Sequence, residues 1–378
     1  MLKVDQWSYW ERKNYLDGID YLVVGAGIVG FSAAMALRER HPKSKIIILE
    51  RGLLPSGASS KNAGFACFGS ATEIYSDIQS YGEDLVWSTV EKRWRGLSAL
   101  RRVHGDKNLR FQQRGSWDLI TKKEEEIAKK AINRLDEYNR QLESITGIKN
   151  VYSIDKTTQE RFGFEGIQTS IYNCLEGQID TARLNKSMET LCSENDIKIL
   201  YGVEVLKIQD SEHRVEVETN IGQFRSNSTI ICTNGFAKGL IDDLDVEPAR
   251  AQVVITKPIE NLSLEGTFHY QEGFYYFRNI DNRVLLGGGR NLDIRGETTE
   301  VMETSSLIMG RLEELLKEVI LPGKTFEIDA TWAGVMGVGR TKKPIVKKLS
   351  SNVACGVRLG GMGVAIGTLV GEELAELF

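Results

Sequence analysis

The sequence predicts an α/β chain of the α+β two-domain kind: a dinucleotide-binding domain with an inserted, sheet-rich substrate domain. Three observations carry that reading. The apolar run D-Y-L-V-V, Asp20 to Val24, passes into Gly25-Ala26-Gly27-Ile28-Val29-Gly30 and then into an Ala-, Met- and Leu-rich stretch ending at Arg40. A second apolar run, K-I-I-I-L-E from Lys45 to Glu50, follows at once and completes a βαβ unit. From about 246 to 290 the pattern alternates instead: A-Q-V-V-I-T-K, F-Y-Y-F-R and V-L-L-G-G-G-R read as strands of a separate sheet.

The remaining elements follow in order. Ser56 to Ser70 is a polar, glycine-rich loop. Helical stretches are expected over Glu73 to Val103 and Lys123 to Ser144, with strand-like residues from Leu109 to Thr121 between them. Thr181 to Glu194 reads as a helix, Lys198 to Tyr201 and Val203 to Ile208 as short strands. A hairpin-like stretch, His213 to Phe224, leads into the buried strand Ser228 to Thr233. Helix Met302 to Val319, a strand around Phe326 to Gly334, strand Asn352 to Cys355 and helix Gly361 to Leu377 close the chain. The expected cofactor domain is therefore discontinuous, 1–80 with 150–240 and 325–378. The substrate domain takes 81–149 and 241–324.

Composition limits the function classes. The 378 residues carry 48 Lys+Arg against 52 Asp+Glu, a net charge of −4, which argues against a nucleic-acid binder. A hydrophobic content of 41% supplies a core and argues against disorder. The five cysteines, Cys67, Cys174, Cys192, Cys232 and Cys355, are odd in number and show no CxxC, so a disulfide framework is not expected and a reducing cytoplasm is. His41, His104, His213 and His269 show no metal-ligand spacing, and no metal is expected. Met1 to Asp17 has no apolar leader core. The longest uncharged run, Tyr21 to Leu37, is broken by three glycines and is shorter than the roughly 20 apolar residues of a membrane span.

Each glycine of the G-x-G-x-x-G has a mechanical reason. Gly25 permits the tight strand-to-helix turn, Gly27 admits a pyrophosphate to the backbone, and Gly30 lets the helix pack on the sheet. The helix N-terminus offers free N–H groups and partial positive charge to phosphates. Glu50 ends the second strand, where a carboxylate accepts from a ribose diol. The tail motif Gly360, Gly361 and Gly363 can bring backbone N–H groups to a flat ligand edge at the start of a helix.

With these motifs the chain resembles the D-amino-acid oxidase and glycine oxidase family of FAD-dependent oxidoreductases over roughly residues 7 to 378. The resemblance rests also on Gly57-Ala58-Ser59-Ser60-Lys61-Asn62-Ala63-Gly64, on Gly177-Gln178-Ile179-Asp180, on Thr233-Asn234-Gly235 and on Arg358-Leu359-Gly360-Gly361-Met362-Gly363-Val364. It implies an FAD-binding Rossmann-like domain whose cofactor set takes in these segments, with Ala26, Ile28, Val29, Glu50, Arg51 and Val205. It implies removal of a hydride from the α-carbon of an amine or amino acid to flavin N5, giving an imine that hydrolyses. A 2-hydroxy-acid dehydrogenase and a non-catalytic flavoprotein subunit stay open as alternatives.

For the substrate side the resemblance points to the inserted sheet. Tyr276, Arg278 and Arg290 are candidates there, and Arg340 near the tail. Tyr276 and Arg278 share a strand face. His269 and Tyr270 are read either as lining the same pocket or, the preferred reading, as residues of an edge strand. The chain also departs from the family. Met336 stands where amino-acid oxidases often carry the Arg that holds a substrate carboxylate, and Leu285 where sarcosine-oxidase-like members carry a Lys. Ser8-Tyr9-Trp10-Glu11 resembles the start of putrescine- and amine-oxidising relatives. The expected partner is a small amine, amino acid or hydroxy acid.

Overall fold

The computed structural model describes residues 3–211 and 213–378. Met1 and Leu2, the first residues of the stretch read as lacking a leader core, lie outside the described residues. The first sheet runs in the order Ile345–Lys348, Val353–Val357, Gly222–Ile231, Ile19–Val24, Ile46–Glu50, Lys198–Tyr201, with Arg214–Thr219 and Val205–Ser211 attached to its side. Its central pairings are parallel. Helices lie on it, so Ile46, Ile47, Ile48 and Leu49 are all buried and the strand reads as a continuous apolar run.

The turn after the opening strand shows why its glycines are there. Gly25 has φ +105, and an added Cβ would stand 2.9 Å from the Cys232 carbonyl. A Cβ on Gly30 would stand 2.0 Å from the Gly25 carbonyl oxygen, so helix Ile28–Arg40 could not seat there. The closing helix Gly363–Ala375 packs against Ile28–Arg40, with Gly371 against Ser32. Ahead of the sheet, Trp7 packs edge-on to Phe224 and Ser8 caps helix Tyr9–Tyr15, whose Tyr9 and Trp10 side chains are exposed.

The second sheet runs Ile328–Val338, Glu247–Thr256, Arg283–Gly288, Tyr275–Ile280, Thr267–Tyr270, Ser116–Thr121, Ile167–Asn173, Tyr152–Asp155. Tyr152–Asp155, Ile167–Asn173 and Ile328–Val338 were assigned with the cofactor domain, and their backbone partners are in the second sheet. Strand pairing is decided by long-range ladder bonds, which local patterning does not reveal. The strand Thr267–Tyr270 is internal, flanked by Tyr275–Ile280 and Ser116–Thr121, so His269 and Tyr270 are not on an edge. The outer face packs on helix Ser306–Leu315 through Phe268, Phe277, Leu286 and Ile308.

The inner face presents one row across five strands: Asp118, His269, Tyr276, Gly287 and Val253 stand in register. The long expected helix of 73–103 is two helices, Ala71–Tyr81 and Glu83–His104, separated at Gly82 with φ +83. No helix among the described residues is long and apolar enough to cross a membrane.

Candidate functional site

A cavity of about 830 Å³ lies between the carboxyl ends of the first sheet's parallel strands and the inner face of the second sheet. Open parallel sheets place ligands at this position. Most of the motif residues meet on its wall.

At one end are Glu50, Arg51, Val203, Glu204 and Val205. The Glu50 carboxylate accepts from Ala26 N at 3.1 Å and from Gly52 N at 3.0 Å. Those bonds hold it across the mouth of the glycine turn, and a carboxylate has lone pairs to spare for two hydroxyls. The Arg51 guanidinium stacks 3.8 Å from the Phe236 ring. In the middle, Gly25, Gly27, Ile28 and Val29 open the helix, and Ser59 Oγ accepts from Ile28 N at 3.0 Å. Gly57, Ala58, Ser60, Lys61, Asn62 and Ala63 line the same stretch. Asn62 fixes that loop by donating to Ser59 O at 2.7 Å and accepting from Gly64 N at 2.8 Å. Trp332 Nε1 donates to Lys61 O at 2.9 Å and ties the loop to the second sheet.

Opposite, Thr233 and Asn234 reach the wall after the strand Gly222–Ile231. Asn234 Oδ1 accepts from Arg358 N and Leu359 N, which joins this turn to the tail segment Gly360, Gly361, Met362, Gly363 and Val364. Tyr276 crosses the inner face only because Gly287 beside it has no side chain. A Cβ there would meet the Tyr276 ring at 2.7 Å. Burial pushes the Tyr276 hydroxyl up to about 12, so it stays a neutral donor.

Several expected residues are not on the wall. Ala26, Gly30, Gly64 and Gly235 sit behind it as backbone support. Arg278 is buried beneath the loop, and a Cβ on Gly64 would stand 2.9 Å from its guanidinium. Burial draws it down to about 10, with Asp180 opposing. It shares the face of Tyr276 but lies too far along the strand to reach the cavity. Arg340 points outward, its side chain 87% exposed, against Asp245. Arg358 is held by Asp245, Thr341 and the Lys343 carbonyl. Cys67 is buried behind the wall, and Leu285 lies in an apolar cluster with Ala63 and Val253. Of the four nominated substrate residues, Tyr276 and Arg290 line the cavity and Arg278 and Arg340 do not.

The structure adds residues that the motifs did not indicate. Glu73, Ser76 and Asp77 project from helix Ala71–Tyr81 onto the wall, with Glu272 and Phe274 from the turn after Thr267–Tyr270, Glu300 and Phe65, and they join His269 and Met336, which the sequence points to. Lys342 Nζ lies 2.7 Å from Glu73 Oε1 and 2.8 Å from Asp77 Oδ1. Burial raises the Glu73 carboxyl, but Lys342 and then Arg93 outweigh it and leave it near 2. Burial and then Glu73 raise the Asp77 carboxyl. The Ser76 hydroxyl donates to Glu272, bridging the helix to the hairpin turn. The spacing i, i+3, i+4 of Glu73, Ser76 and Asp77 was the available signal, because it sets all three on one helix face. Nothing in the sequence ties Lys342 to them.

Three features of the wall fit FAD. The buried Thr233 Oγ1 and Arg290 Nε have no protein partner. Ile28 and Val29, at the start of helix Ile28–Arg40, line the cavity; Ile28 N–H is taken by Ser59 Oγ, which leaves the N–H groups of Val29 and Gly30 for a diphosphate. Glu50 sits a strand's width from them, where a ribose would lie.

The comparisons agree with this geometry. A family model described as DAO, FAD dependent oxidoreductase, matches residues 20–377. A probable oxidoreductase OrdL of Haemophilus influenzae is 22% identical, with 96% of this chain and 83% of that protein covered. L-proline dehydrogenase from P. horikoshii superposes with a TM-score of 0.75 at 18% identity, covering 96% of this chain and 93% of that one. Glycine oxidase from Geobacillus kaustophilus gives 0.75 at 18% identity, covering 95% and 94%.

Proposed function

Because the chain belongs to the DAO family of FAD dependent oxidoreductases, with FAD as its cofactor, we propose that it oxidises a small amine of net positive charge. The observation that carries this is the sign of the wall beyond the glycine-lined seam. Glu73, Asp77, Glu272 and Glu300 line it, against Lys342 and Arg290. Of the nominated guanidiniums, Arg278 and Arg340 are turned away and Arg290 alone reaches the wall, outnumbered there by the carboxylates, while Met336 fills the place of a further Arg. Such a wall attracts an ammonium and repels a free carboxylate, so it favours amines over 2-hydroxy acids.

Bound FAD supplies the hydride acceptor for the α-carbon. The protein supplies the rest. Glu50 would accept the ribose hydroxyls, and the start of helix Ile28–Arg40 would receive the diphosphate. The amides around Gly361 and Gly363, at the head of helix Gly363–Ala375, line the cavity and would offer positive potential to negative charge developing on a bound ring. Phe65, Tyr276 and Met336 give the reacting carbon an apolar seat and restrict water. The carboxylates of Glu272 and Asp77 orient the cationic remainder of the substrate. Loss of hydride and a proton leaves an imine, which water hydrolyses to carbonyl and amine.

The test is anaerobic. The FAD-loaded protein is mixed with primary amines, diamines, amino acids and 2-hydroxy acids, and the flavin band near about 450 nm is followed. Bleaching by amines or diamines is the expected result. Bleaching by hydroxy acids alone would contradict the proposal.

A further inference from the structure

We propose that His269 accepts the proton that the substrate ammonium must lose before its carbon can release hydride, and that Glu176 is the positioning residue behind it. The inference rests on the amine reading above. An alkylammonium titrates near about 10 and carries no free lone pair at neutral pH. Its nitrogen cannot support a departing hydride until one N–H bond breaks and the pair returns to nitrogen. The proton then needs a seat inside a cavity that excludes water.

His269 has the required placement. It lines the cavity in the inner-face row, between Asp118 and Tyr276. Its side chain is only 10% exposed; Nδ1, on the side of the cavity-lining Gly273, is the nitrogen that accepts the proton, and the fully buried Nε2 has no hydrogen-bond partner. That nitrogen lies 3.9 Å from Glu176 Oε2, and the Glu176 side chain is wholly buried. Glu176 is fixed from the far side: Oε1 accepts from Phe68 N at 2.7 Å and Gly69 N at 2.9 Å, and Oε2 accepts from Ser116 Oγ at 2.6 Å. The ring is thus backed by an immobile carboxylate and is held edge-on by Phe65 at 5.5 Å.

The groups facing the ring from the packed elements are mostly acidic. Asp118 comes from the neighbouring strand, Glu73 from helix Ala71–Tyr81 and the Cys67 thiol from the segment after Phe65. The cations nearby, Lys342 and Arg93, are taken up by Glu73. An imidazolium formed at His269 would face the carboxylates of Glu176, Asp118 and Glu73, while burial keeps the Cys67 thiol neutral. The step balances simply. One substrate N–H bond breaks, one imidazole N–H bond forms, no electrons change hands, and the proton leaves through the open cavity after turnover.

The experiment is stopped-flow bleaching of FAD-loaded His269→Asn, Glu176→Gln and the unaltered protein by a saturating amine, from about pH 6 to about pH 10. For His269→Asn the rate at neutral pH should fall about 100-fold, the low end for a positioned base. It should recover as the pH nears the amine's own titration. Glu176→Gln should shift the same limb by less, because an amide oxygen still accepts from the backbone. His269→Gln repeats the test should the Asn variant lose its flavin. An equal loss at every pH, or none, overturns the inference. If no amine bleaches the unaltered protein, the amine reading falls first, and that outcome is distinct from an unchanged pH profile.

Discussion

Lys342→Met probes the acidic wall most sharply. Lys342 Nζ stands within 2.8 Å of carboxylates on both Glu73 and Asp77, whose side chains are 16% and 14% exposed. The Glu73 carboxyl falls from 4.5 to about 2, against the pull of its own burial. At about 1.4 kcal/mol per unit this corresponds to roughly 3 kcal/mol of stabilisation as an upper figure. Lys342 is 34% exposed, Arg93 persists, and Asp77 shifts the opposite way, so about 2 kcal/mol is the expected loss at neutral pH. The sign follows from the depressed value. Glu73 contributes fully above about 4.5, and its share fades as the pH falls toward 2. Urea unfolding at matched free FAD, read by flavin fluorescence, should show the full gap at neutral pH and a shrinking one in acid. A cationic amine should bind the variant more tightly, since two anions have lost their counter-ion. A gap under about 0.5 kcal/mol at neutral pH, or one constant into acid, would refute the reasoning.

Other outcomes follow from the same geometry. Glu50→Gln should weaken FAD binding by about 1–3 kcal/mol, seen when the apoprotein is titrated with FAD and flavin fluorescence is read. Glu272→Gln should raise the dissociation constant of a diamine about fivefold and leave a monoamine nearly unchanged, measured from the concentration dependence of bleaching. Arg340→Ala should change no substrate's binding by more than about twofold, because its guanidinium lies in solvent against Asp245.

The cofactor half was readable because its signals are local. The turn at Gly25, the acid at Glu50 and the tail glycines each follow from steric demands within a few residues, and all three reach one wall. The substrate half was less so. Arg278 has the right strand parity for the inner face, but parity does not say how far along the strand the cavity extends. Glu73 and Asp77 sit in an ordinary amphipathic helix, and their meaning depends on Lys342, more than 260 positions away. Glu176 and His269 meet only because the hairpin strand Thr267–Tyr270 inserts beside Ser116–Thr121. Sheet membership is equally non-local: Ile328–Val338 reads as a terminal strand locally and pairs with Glu247–Thr256.

The most direct measurement compares two probes of matched length: a four-carbon diamine, and the same chain with one amine replaced by a carboxylate. Each is mixed anaerobically with the FAD-loaded protein, and the bleaching rate per unit concentration is taken. The acidic wall predicts that the diamine wins by about 100-fold or more, from roughly 3 kcal/mol of attraction and repulsion combined. Preference for the carboxylate-bearing chain would contradict it.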